Sequence, residues 1–308
     1  MGEYGRSYWG SGFVVLWPVC CKMQFPTRHD CDSPGPSRRI EARDFHRRLI
    51  TRFARICRPP TAVVTGAAVR IGRALALELA GRGWQVVVHH RTSVTEAEAT
   101  VARIAESGGQ AIAVAADLEE PHRAAETVFE AAENRFGQVS LLINNAAIFE
   151  GGALGETDAE TWQRLFAINL EAPCVLSERF VRGLGEEGTG QIINLVDWRG
   201  LQPDPQRLAY SLTKHGLVAL TRSLAESLAP RVRVNAVAPG PVLPPPGADA
   251  EELAAAVAAS PLRRVGGPED VVAAVGYLLD AGLATGDVLS VAGGTQLPAS
   301  RTVGRVAE

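Results

Sequence analysis

No run in this chain approaches the twenty or so consecutive apolar residues of a membrane-spanning helix, although 46% of its 308 residues are hydrophobic. A helical membrane protein is thereby excluded, and the apolar content is that expected of a soluble globule. Cysteine is also scarce. Four of the five, Cys20, Cys21, Cys31 and Cys57, lie in the first 59 residues at spacings that fit no zinc pattern, and Cys174 stands alone in the rest. A disulfide framework is excluded there, and a reducing, cytoplasmic compartment is expected. Positive charge is short beyond residue 59, because residues 1–59 hold eleven Lys and Arg against five acids, which leaves −9 on the remainder of a chain of net charge −3. An acidic body is repelled by phosphate backbones, so no nucleic-acid partner is expected. No metal cluster is present either, because His89 and His90 are neighbours on a strand and point to opposite faces.

What is present divides the chain in three: an N-terminal extension over 1–59, a domain over 60–298 and a tail over 299–308. The apolar stretch Gly12–Cys21 is short and broken by Pro18, a poor signal peptide. Phe45, Leu49, Phe53 and Ile56 form a helical stripe among arginines, which fits a basic amphipathic helix. An unstructured extension, or upstream sequence read from a start codon placed too early, accounts for the same residues.

Over the domain, seven strands are predicted near 61–66, 85–90, 110–117, 139–145, 190–197, 231–237 and 287–292. Helix-length connections alternate with them, including Arg73–Ala80, Thr157–Arg182 and Leu208–Leu228. Alternation of this kind implies an α/β fold, a doubly wound parallel sheet of Rossmann type covered on both faces, in a single domain. Its ligand crevice lies at the carboxyl ends of the strands. A proline cluster at Pro241–Pro246 opens a mobile, apolar segment running to about Leu262, in the position of a lid.

Tyr210 and Lys214 stand four apart in AYSLTKHG, so on a helix both project from one face. An ammonium beside a phenol favours phenolate and lowers the tyrosine pKa toward working pH, as a general acid requires. Far upstream, Thr61–Thr65 reads as a buried strand and Gly66–Gly72 as a glycine-bearing turn into a helix. Such a turn lets backbone and helix dipole approach a pyrophosphate.

With these motifs the chain resembles the short-chain dehydrogenase/reductase family over roughly Pro60–Leu297. The resemblance rests on TGAAVRIG at Thr65–Gly72, ADL at Ala116–Leu118, NNAA at Asn144–Ala147, Asn169 in AINL, Asp197, Tyr210 with Lys214, VNAVAPG at Val234–Gly240 and TGDVLSVAGG at Thr285–Gly294. It implies a dinucleotide held by Gly66, Arg70, Ile71 and Gly72 in the turn, by Asp117 and Leu118 at the adenine, and by Asn145, Ala146, Tyr210, Lys214, Pro239 and Gly240 toward the nicotinamide. It also implies Tyr210 as proton donor, Lys214 on the nicotinamide ribose, and Asn169 as holder of the lysine's water relay. The helices Thr157–Arg182 and Leu208–Leu228 resemble the pair through which the family forms dimers and tetramers, so a homo-oligomer is expected; their apolar positions fit intrachain core equally. Ala292 stands where the family carries aspartate.

Cofactor choice follows from the end of the second strand, where an NAD site would place Asp or Glu. This chain has His90, Arg91, Thr92 and Ser93, and a guanidinium with two hydroxyls suits a 2′-phosphate, so NADP(H) is expected. An Arg91 that merely faces solvent is the other reading.

Two positions narrow the resemblance. Arg70 replaces the middle glycine of the turn, as in pteridine reductases and bacterial dihydromonapterin reductases, where the arginine contacts cofactor phosphate and pterin. Asp197 replaces serine, also as in pteridine reductases. Phe149 falls where those enzymes stack the pterin, and Gln202-Pro203 agrees, whereas Ala147 stands where they carry serine. The substrate is expected to meet Arg70, Phe149, Asp197 and Tyr210.

A carboxylate within about 4 Å of a carbonyl oxygen opposes its developing charge. When hydride goes to a C=N carbon the atom needing a proton is nitrogen, and an Asp197–Tyr210 pair can supply it. Alternatively Asp197 turns away to bond a backbone amide. The expected activity is NADPH-dependent reduction of a pterin or dihydropterin/dihydrofolate-like C=N bond. A carbonyl reductase of the 3-oxoacyl-carrier-protein type is the alternative, and a non-catalytic NADP-binding sensor a further one, against which the intact Asn169, Tyr210 and Lys214 argue.

Overall fold

Four buried residues, Thr61–Val64, form β1 at the centre of the sheet. In the computed structural model the described residues are 58–242 and 260–297, with Ala254, Val257 and Ala258 between them. Residues 1–57 of the expected extension with its amphipathic stripe, most of the expected lid and the tail 299–308 lie outside the described residues.

Six further strands follow: β2 (Gln85–His90), β3 (Gln110–Ala115), β4 (Val139–Asn144), β5 (Gly190–Leu195), β6 (Val232–Pro239) and β7 (Val288–Val291). All pair in parallel, in the order β3-β2-β1-β4-β5-β6-β7. Alternate residues of each strand enter opposite cores, as the pleat requires. Ala62, Val64, Val86, Val88, Leu141 and Ile143 pack on one face against α1 (Arg70–Gly81), with Leu75 and Leu79, and against α7 (Pro268–Asp280), with Val271 and Val275. Val63, Val87, Leu142 and Ile192 pack on the other against α3 (Pro121–Phe136) and α5 (Ala172–Leu184), where Phe129 and Phe180 meet with ring centroids 6.3 Å apart. Burying both faces explains why the strands read as nearly unbroken apolar runs. Further helices among the described residues are α2 (Val94–Glu106), α4 (Ala159–Phe166) and α6 (Leu208–Leu228). Among the described residues no helix is long and apolar enough to cross a membrane.

The sequence expectation is corrected at the strand ends and in one helix. β1, β3 and β5 each stop two residues earlier than expected and β6 runs two residues further, so Gly66, Asp117 and Asp197 lie beyond the sheet. The single helix expected over Thr157–Arg182 is two, α4 and α5, joined by a π-helical turn at Ala167–Glu171. Pro173 has no N–H to give the carbonyl of Asn169 four residues back, so a regular ladder is interrupted at the residue the turn presents.

Candidate active site

The first turns of α6 carry Tyr210 and Lys214, 5% and 2% exposed. Lys214 Nζ donates to the Leu195 carbonyl at the end of β5, at 3.1 Å, and sits 5.6 Å from the Tyr210 ring centroid. Burial lowers its pKa to about 8, against the opposing pull of Asp197. Burial first, then the charge of Asp197, holds the Tyr210 phenol well above its ordinary range, with Arg199 acting the other way. The expectation that Lys214 draws the phenol down is therefore corrected: the charges acting on the hydroxyl are those of Asp197 and Arg199. A phenol so placed keeps its proton at neutral pH and can give it to a stronger base.

Asp197 faces two groups. Its Oδ1 caps the short turn Trp198–Gly200 by accepting the Arg199 backbone N–H at 2.8 Å. The same carboxylate lies close enough to the Tyr210 hydroxyl for its negative charge to hold the phenol's proton on. Burial raises the Asp197 pKa, while the Arg199 amide, the Arg199 guanidinium and Lys214 hold it back.

The Phe149 ring stands edge-on to Tyr210, with centroids 4.8 Å apart at 89°. Its position is braced from behind by Asn169, buried on the π-helical turn, whose Oδ1 accepts from Ile148 N at 2.9 Å and whose Nδ2 donates to Ile148 O at 3.0 Å. The side-chain amide of Asn169 thus holds the segment carrying Phe149, a role beside the water relay that the resemblance implied. Two residues not anticipated from the sequence complete this corner. Arg199 lies over Phe149 at 5.2 Å and over Trp198 at 4.5 Å, and its Nε donates to Asp204 Oδ2 at 2.6 Å. Arg207 lies over Phe149 at 5.0 Å. The signal for them was the alternation of Asp197, Arg199, Asp204 and Arg207 ahead of the tyrosine.

At the glycine turn, backbone comes close enough to exclude side chains. A Cβ on Gly72 would lie 2.2 Å from Gly66 O and 2.6 Å from Asn145 Nδ2. Asn145 Nδ2 donates to Thr65 O at 2.7 Å, and Thr65 Oγ1 accepts from both Asn145 N and Ala146 N at 2.9 Å, so Asn145 and Ala146 fix the turn to the end of β4. Arg70 opens α1 with φ of +54°, in the left-handed region that normally selects glycine. Holding an arginine there costs on the order of 1–2 kcal/mol. Ile71 packs on the core behind it. The first turn of α1 has no acidic residue and no side-chain cap, which leaves its N-terminal dipole for an anion.

The end of β2 holds two histidines of different kind. His89 Nδ1 accepts from Gly66 N at 3.1 Å and its Nε2 faces Ala116 O at 3.1 Å, and burial holds its pKa at about 4. It is a neutral strut between β2, β3 and the turn. His90 is buried with Nδ1 lacking a partner. Arg91 pairs with Glu119 at 3.1 Å on the surface, Thr92 is exposed, and Ser93 starts α2 without capping it. Leu118 is buried beside Asp117, whose Oδ1 accepts from Glu119 N. Pro239 ends β6, and Gly240 N donates to Val291 O at 2.9 Å. All these positions lie at or just past the carboxyl ends of the strands, the edge at which open α/β sheets bind ligands.

The family model described as enoyl-(acyl carrier protein) reductase matches residues 66–296. FolM alternative dihydrofolate reductase 1 from Brucella suis, solved in complex with NADP, superposes with a TM-score of 0.74 at 38% identity, covering 79% of this chain and 96% of that one. A 3-oxoacyl-[acyl-carrier-protein] reductase of Synechocystis is 34% identical over 239 residues, 76% of this chain and 95% of the relative. A short-chain type dehydrogenase/reductase of Picea abies is 33% identical over 70% of this chain and 84% of its own length. The chain is thus an oxidoreductase that belongs to the short-chain dehydrogenase/reductase family.

Proposed function

We propose that this chain is an NADPH-dependent reductase of a C=N bond in a pterin or dihydropterin/dihydrofolate-like ring. The observation that carries the reading is the Asp197 carboxylate acting on the Tyr210 hydroxyl under the Phe149 ring. The residues fit a nicotinamide dinucleotide: the glycine turn leaves no room for a side chain at Gly72, and the buried His90 Nδ1 lacks a partner where the adenine ribose belongs. When bound, that cofactor supplies the hydride. Tyr210 gives a proton to the ring nitrogen, and Asp197, its pKa raised by burial, sustains that supply. Lys214 offers an ammonium to a ribose hydroxyl. Phe149 stacks the ring, and Arg70 contacts phosphate and ring edge. The likeness to the Brucella dihydrofolate reductase, itself in complex with NADP, supports both substrate class and cofactor.

A carbonyl reductase of the 3-oxoacyl-carrier-protein type is the second reading, favoured by the Synechocystis relative and by the engagement of Asp197 Oδ1 with a backbone amide. Turnover with NADPH on dihydrobiopterin, dihydrofolate and an acetoacetyl ester tests the two. Pterin or folate reduction is expected, and reduction of the ester alone overturns the proposal.

A further inference from the structure

Two guanidiniums flank the half-exposed ring of Phe149, and they are not equivalent. Arg199 is engaged with two carboxylates, Asp204 Oδ2 at 2.6 Å and Asp197 Oδ1 at 3.5 Å. Arg207 forms no ion pair with any described residue; its Nη1 donates to the Gly151 carbonyl and its guanidinium lies over the ring. Glu150, next to Gly151, is taken up by Arg164, and Asp204, three residues before Arg207, is taken up by Arg199. Arg207 is also the residue that enters α6, whose first turn has no acidic residue, so the helix dipole adds to its positive charge. A planar arginine with N–H groups to spare, beside an exposed aromatic face and two ring contacts from the Tyr210 phenol, is built to hold a carboxylate or phosphate.

We propose that Arg207 is a specificity-determining residue that binds an anionic substituent of the substrate while the reacting ring lies on Phe149. The stacked ring rests on the pterin reading above; the anion does not. Its chemistry is shared by the glutamyl carboxylates of a folate and the phosphates of an acyl-thioester carrier, and the test separates these sources.

The experiment uses the full chain with NADP⁺ bound and two matched pairs: dihydrofolate against dihydrobiopterin, and acetoacetyl-coenzyme A against ethyl acetoacetate. Dissociation constants are measured by calorimetry, and KM and kcat with NADPH. The wild-type protein is expected to prefer the charged member. Arg207→Gln is expected to weaken that member by roughly tenfold to a hundredfold more than its uncharged counterpart, the range of a charge-assisted contact, mainly in KM. Arg207→Lys keeps the charge and should restore part of the preference, and added salt should erode it in the wild type. Selectivity confined to the thioester pair, without pterin binding, retains Arg207 and removes the pterin reading. Pterin turnover without charge selectivity does the reverse. Equal losses for both members in Arg207→Gln, or no wild-type preference in either pair, overturn the proposal; should that variant not fold, Arg207→Lys and the salt series decide.

Discussion

Asp197 is held by its near neighbour Arg199: Oδ1 accepts the Arg199 backbone N–H at 2.8 Å and lies 3.5 Å from the guanidinium. The guanidinium is fixed in turn by Asp204 and by its stacking on Trp198. A carboxylate raised by burial and held back by Arg199, with Lys214 as a second cation, is a group whose protonation Arg199 tunes.

Arg199→Gln removes the guanidinium's charge and leaves the backbone contact. The Asp197 pKa should then rise further, and the limb of the kcat/KM profile that reports it should move to higher pH, with Lys214 as the remaining cation acting on the carboxylate. A uniformly lower profile with unshifted limbs would show that Arg199 serves only to pack Phe149.

His89 makes stability depend on pH. Its pKa is about 4 in the fold against an ordinary 6.5. Between these values the unfolded chain takes up a proton that the native chain refuses, so stability is fullest above 6.5 and falls toward pH 4. The ceiling on this effect is about 3 kcal/mol. Urea unfolding at pH 7 and pH 4.5 should show the loss, and His89→Gln, which does not titrate, should flatten it. Parallel slopes for the two proteins would contradict this.

The Arg91–Glu119 pair is exposed on both sides, so it holds Arg91 weakly, by under about 1 kcal/mol, and a phosphate can displace the carboxylate. NADPH should bind tighter than NADH by roughly tenfold or more. Arg91→Asp should reverse the order, and Glu119→Gln should widen it. Equal dissociation constants for the two cofactors would remove Arg91 from the site.

The sheet was legible in the sequence because both faces are buried, so each strand is a short apolar run between helix-length connections. Tyr210, Lys214 and the glycine turn were legible because each is a local pattern. The bracing role of Asn169 was not, since the π-helical turn arises from Pro173 four residues on and its partner Ile148 lies 21 residues away. Arg199 and Arg207 sit in a loop with no periodicity, and their meeting at Phe149 depends on the tertiary fold. The sign of the Tyr210 shift escaped for a related reason: spacing places Lys214 near the ring, whereas burial and Asp197 decide the charge balance at the hydroxyl.

Asp197→Ser tests the central claim most directly, with kcat/KM measured for wild type and variant on dihydrobiopterin and on an acetoacetyl ester. On the pterin, loss of the group that sustains proton supply should lower activity by about 10²–10⁴-fold. On the ester, a hydroxyl in place of a carboxylate should hold or raise activity, because it donates to the developing oxyanion. A wild-type protein that reduces the ester well and the pterin not at all, with activity kept in the variant, would contradict the account.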